Sequence, residues 1–225
     1  FELTIFGTFL TRSGVIASVH SFALSNIGPF FVVFLAISSF FGMFMIFYRS
    51  GEMRSGKKMQ SFLSREFTFL LNNWLFVSIC FAVFWGSVFP VLSEWVTGEK
   101  ITVGAPFFNK VTAPLWLALL ILTGICPLIA WRKASSKNFQ RNFIYPIVGG
   151  VAAGLVCLGL GIRAALPLIL FSSAGFVVMT IFFEFYKGAR ARQAIRPSSF
   201  VPALVDLAVM NKRRYGGFTI HAGVV

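Results

Sequence analysis

The sequence predicts an all-α fold, a polytopic transmembrane helical bundle, and three observations carry that expectation. Of its 225 residues 57% are hydrophobic and 12% charged, with a mean hydropathy of +0.81. So little polar material cannot clothe a water-soluble domain, and the solvent must be largely lipid. Apolar runs of twenty or so residues recur, each long enough to cross a hydrocarbon layer of about 30 Å as a helix. The basic residues, by contrast, gather in a few connections between those runs.

The elements follow in order. Residues 1–10 read as the end of a truncated transmembrane helix, and 11–26 as a loop, TRSGVIASVHSFALSN, too short and too rich in small residues to fold alone. Five complete spans come next: 27–48, 67–92, 111–131, 143–162 and 164–186. The loop over 93–110 carries Trp95, Phe107 and Phe108 among Gly and Pro, which suits the headgroup layer or a shallow apolar groove. The connection over 187–217 is basic, and within it Val201, Leu204, Val205, Ala208 and Val209 recur near helical spacing. That pattern predicts an amphipathic helix lying on a leaflet, ended by Gly216 and Gly217. Residues 218–225 start a further truncated span, so the sequence reads as a fragment of a larger membrane protein.

Charge sets the orientation. If the connection near 50–65 is cytoplasmic, parity places sixteen of the twenty Lys and Arg inside, leaving Arg12, Lys100, Lys110 and Arg163 outside. That bias satisfies the positive-inside rule. The net charge of +13 is the same bias facing anionic lipid headgroups. No nucleic-acid partner is implied, because the basic residues are spread over short loops and make no single basic face. His20 then lies outside, in a bacterial reading the periplasm, and His221 near the cytoplasmic face.

Chemistry-bearing residues are few. Cys80, Cys126 and Cys157 stand alone in apolar spans, which indicates packing and not a thiol pair or a zinc site. There is no Walker loop, dinucleotide fingerprint or HExxH, and the seven carboxylates are too scattered for a proton relay. Asn72 and Asn73 fall one to two turns into a span, where an amide needs a partner: either helix-to-helix glue or contact with a buried cofactor. Glu2 sits at a depth costly for a charge and is a candidate intramembrane site. His20 reads as a spectator, a pH-sensitive group or an axial metal ligand. The same readings apply to His221, where the cost of burying an unpartnered imidazole favours the ligand role more strongly.

Four words in order, GTFLTRSGVIASVHSFA, SREFTFLLNNWLF, GEKITVGAPFFN and RRYGGFTIHAGVV, resemble the CcmF/NrfE family, the haem lyase of bacterial cytochrome c maturation. The resemblance spans nearly the whole chain and matches the middle to late portion of the family, whose tryptophan-rich haem-handling segment precedes it. It implies that His20 is an outward-facing axial ligand of the haem being delivered and the residue central to catalysis, and that His221 is a transmembrane ligand of a permanently bound haem b. The opposite histidine of each pair lies upstream in the family. Charge bias and span counting put the two histidines on opposite faces, about a membrane thickness apart, so they cannot share one iron.

The resemblance also implies the chemistry. Thiols of a CxxCH motif in apocytochrome c add across the haem vinyls, a reaction that needs reduced iron, orientation and proximity more than a nucleophile from the lyase. Arg12 is placed to pair with a propionate or to anchor the chain at the interface. Asn72 and Asn73 are candidates to line the inner haem, which would pass an electron, from quinol, to the outer one. The implied partners are the haem chaperone CcmE, apocytochrome c, CcmH/CcmI-type thioreduction and apocytochrome-binding subunits, quinol and membrane lipids. The implied location is the bacterial inner membrane with the delivery site facing the periplasm. Two other classes remain: a haem transporter or chaperone without bond-forming activity, and a non-catalytic bundle subunit with spectator histidines.

Overall fold

A computed structural model describes residues 1–13, 27–53, 64–129 and 136–225, without the side chains of 136–141. The described residues are helical, with no strand among them. In chain order the helices are α1 (Glu2–Arg12), α2 (Gly28–Tyr48), α3 (Arg65–Thr97), α4 (Ala105–Ile125) with a 3₁₀ turn at Cys126–Leu128, α5 (Ser136–Gly159), α6 (Ala165–Ile195), α7 (Phe200–Met210) and α8 (Lys212–Val224). Five of them, α2 to α6, are long and apolar enough to cross a membrane.

The chain divides into two compact units, Phe1–Lys58 with Ser87–Val103, and Met59–Gly86 with Gly104–Val225. In the first, α1 packs on α2 through Phe9 and Phe31, whose ring centroids are 6.4 Å apart. The hydroxyls of Ser38 and Ser39 lie 3.0 and 3.3 Å from Glu2 Oε2, so the carboxylate finds donors on the neighbouring helix. The end of α3 in this unit is closed by Gly98, whose φ of +74° suits a residue without a Cβ and whose N–H donates to the Glu94 carbonyl at 3.0 Å.

The second unit is organised around α6, which packs against α4, α5, α7 and α8. Glycines make its closest approach: a Cβ on Gly150 of α5 would fall 2.9 Å from the Ser172 carbonyl, and one on Gly175 of α6 only 2.5 Å from the Ala153 Cβ. Where lipid supplies no hydrophobic drive between helices, such small residues let backbones reach van der Waals contact. Lower on α6, Val177 and Ile181 form a buried core with Leu207 of α7 and Tyr215 and Phe218 of α8.

Several helix ends differ from those the sequence predicts. The loop expected over 93–110 shrinks, because α3 continues to Thr97 and α4 begins at Ala105. Pro106 does not break that helix, since a proline in the first turn forfeits no needed N–H. Phe107 and Phe108 therefore belong to α4, and their rings occupy the space beside Gly86 of α3. The connection expected over 187–217 is likewise largely helical: α6 runs on to Ile195 through good helix formers, and α8 begins at Lys212. Gly216 and Gly217 lie inside α8, not at a turn. The break falls at Asn211, whose backbone leaves helical geometry (φ −123°, ψ 47°) while its side chain returns to the Leu207 carbonyl at 3.3 Å.

Candidate functional site

A cavity of about 410 Å³ lies in the second unit, walled by three elements. From α3 come Arg65, Thr68, Phe69 and Asn72; from the end of α4 and its 3₁₀ turn, Leu122, Thr123, Cys126 and Pro127; from α8, Arg214, Gly217, Phe218 and His221. The α3 and α8 residues both recur at i, i+3, i+4 and i+7, which is one face of a helix.

Local sequence explains why these faces meet. Ser64 caps α3, its hydroxyl accepting the Phe67 N–H at 3.3 Å, and so fixes where the helix starts. Arg65 then reaches across to the end of α4, its Nε donating to the Ile129 carbonyl at 2.8 Å and Nη2 to that of Pro127 at 3.1 Å. The arginine thus caps carbonyls at the end of that helix and joins two walls. On α8, Tyr215 and Phe218 are buried against Phe185 of α6, with ring centroids 5.0 and 6.3 Å away. Gly188 admits Tyr215, since a Cβ there would collide with the phenolic oxygen. Docking that face turns the adjacent Arg214, Gly217 and His221 to the cavity.

Arg214 is held by an ion pair: its Nη2 lies 2.6 Å from Oε2 of Glu184, a carboxylate on α6 that is only 9% exposed. The guanidinium also covers the Tyr215 and Phe218 rings at 5.7 and 5.9 Å. Burial pushes the Tyr215 phenol above its usual range, Arg214 pulls it back and Glu184 pushes it up again. It stays a neutral hydroxyl at physiological pH.

His221 lines the cavity with an imidazole that makes no hydrogen bond among the described residues. Gly217, one turn before it, leaves open space where a side chain would stand. The structure thus brings Asn72 and His221 together. Asn73 is exposed and is not among the cavity-lining residues. Arg12 ends α1 in the other unit. His20 lies outside the described residues. Arg65, Arg214 and Glu184 were not singled out by the sequence as site residues. The signal that finds the two arginines is the repeated seven-residue spacing, Arg65 to Asn72 and Arg214 to His221.

Fold and cavity define a multi-pass helical membrane protein with a histidine presented to a partly polar cavity. No family model matches the chain. It is 32% identical to the cytochrome c-type biogenesis protein CycK of Rhizobium meliloti, over 70% of this chain and 23% of that protein. It is 36% identical to the cytochrome c-type biogenesis protein ccl1 of Rhodobacter capsulatus, over 66% and 23%, and 28% identical to CcmF of Escherichia coli, over 69% and 24%. Among solved structures it is similar to a cytochrome c haem lyase CcmF, with a TM-score of 0.63 and 28% identity, covering 100% of this chain and 30% of that one. The chain belongs to the CcmF/NrfE family of cytochrome c-type biogenesis proteins. It spans about a quarter of the length of the curated relatives it matches.

Proposed function

We propose that the chain carries one ligand for each of two haems in a cytochrome c haem lyase: His221 for a resident haem b, and His20 for the haem that is the reaction's substrate. The observation that supports this best is the cavity, where an imidazole without a hydrogen-bond partner among the described residues shares the lining with an amide, two guanidiniums and the apolar side chains of Phe69, Leu122 and Phe218. A single imidazole is the kind of donor that a protein would supply to haem iron, because the macrocycle brings its own four nitrogens. The open space at Gly217 suits a flat group lying against α8. Bound there, the haem supplies one-electron exchange, with a quinol as the reductant.

His221 would hold the iron, the Asn72 amide would offer a hydrogen bond at the cavity wall, and Phe69 and Phe218 would give the ring apolar surface to lie against. His20 orients the substrate haem, with Arg12 eight residues before it pairing a propionate or anchoring α1 at the interface. Each thiol of the CxxCH segment then forms a carbon–sulfur bond to one vinyl carbon while its proton goes to the other. The addition moves no net electrons, and proximity supplies its rate. The bacterial cytoplasmic membrane is the location that fits, with 11–26 on the periplasmic side. CcmE, apocytochrome c and CcmH/CcmI-type subunits are the partners this role requires.

The test is the dithionite-reduced visible spectrum of the whole protein in detergent, for wild type, His221→Ala and His20→Ala. His221→Ala is expected to lose the b-type bands; His20→Ala is expected to keep them and fail to mature cytochrome c. A wild type without haem sinks both assignments.

A further inference from the structure

We infer that the cavity has a carboxylate-receiving end, built by Arg65 and Arg214, which takes the acidic edge of the cofactor while His221 and Asn72 take its centre. This rests on the haem reading of the cavity. Three observations carry it. The first is register. Arg65 precedes Asn72, and Arg214 precedes His221, by seven residues, about 10 Å along each helix. Four crossings, α3 to α6, separate the start of α3 from the start of α8, so both helices start from one face of the bundle and their arginines share an end. A metal-centred macrocycle with acidic arms on one edge has the same lengthwise division.

The second is the field. Arg65 opens α3 and Arg214 lies in the first turn of α8, where the positive end of the helix dipole also favours an anion. Glu184 offsets one of the two guanidinium charges. A carboxylate arriving here meets a net positive wall.

The third is donor capacity that no described residue takes up, on groups already fixed in place. A guanidinium has five N–H donors. Arg65 commits Nε and one Nη2 proton to the Ile129 and Pro127 carbonyls, and Arg214 commits one Nη2 proton to Glu184. The remaining donors are planar forks suited to a carboxylate, and their side chains are already ordered by the cap and the ring contacts.

The experiment titrates the whole protein in detergent, stripped of pigment, with iron protoporphyrin IX and with its dimethyl ester, following the Soret band. The free acid is expected to bind at least about tenfold tighter than the ester, which has the same ring and no carboxylates. Glu184→Gln alone should raise that preference. Adding Arg214→Gln to it, so that no buried carboxylate is stranded, should lower the preference about tenfold and leave the ester affinity and the His221-dependent bands unchanged. Equal binding of acid and ester by the wild type, or an unchanged preference in the double variant, overturns this inference and leaves the haem reading standing. Binding of neither porphyrin overturns the haem reading itself.

Discussion

Glu184 is the most buried charge at the α6–α8 contact, and its partner Arg214 is 56% exposed at the side chain. Removing the partner strands the carboxylate, whereas removing both charges does not. Arg214→Ala is therefore expected to destabilise the protein by roughly 2 kcal/mol, with most of the loss recovered in Arg214→Ala/Glu184→Gln, read as thermal unfolding in detergent. A single variant as stable as the double means that the pair carries no load. At this scale the sequence was legible where polarity interrupts an apolar run, as at Asn72 and His221. Arg65 and Arg214 were absorbed into the positive-inside count, which accounts for a basic residue without saying what it touches. Glu184 sits among Phe182, Phe183 and Phe185 with nothing beside it to mark a partner thirty residues on, and that pairing exists only once α6 and α8 are packed.

Helix contacts divide into those that tolerate change and those that do not. Gly150→Leu must part α5 from α6 and is expected to cost about 1–3 kcal/mol, while Gly159→Ala, whose Cβ meets nothing, should stay within about 0.5 kcal/mol. Equal melting temperatures for the two variants refute the close packing of these helices. Asp206 ties α7 to the end of α6 through Arg192 at 3.6 Å and Arg196 at 3.8 Å, yet it is half exposed. Asp206→Asn should accordingly cost under about 1 kcal/mol, and less in high salt, by the same assay. The five spans were legible because length and hydropathy alone define them. Their ends were not, because Pro106 and the Gly216–Gly217 pair look like breakers in isolation, while first-turn position and the packing of Tyr215 and Phe218 keep both inside helices.

For the whole molecule the testable quantity is topology. With Cys80, Cys126 and Cys157 replaced, a cysteine placed at Lys100 is expected to react with a membrane-impermeant maleimide in intact spheroplasts, and one at Lys212 only after lysis. The reverse pattern inverts the orientation argued from charge. The class of the bundle was legible from composition, but the cavity was not, since its walls come from segments far apart in the chain and only tertiary contact assembles them. That separation has a consequence for biogenesis. Arg65 leaves the ribosome 156 residues before His221, roughly 8 to 30 s at ordinary elongation rates. Once α4 has followed α3, the two have a polar flank lacking its third wall until α8 is made. Closure of the cavity is thereby a late event in synthesis, and a nascent chain halted before α8 keeps that flank open.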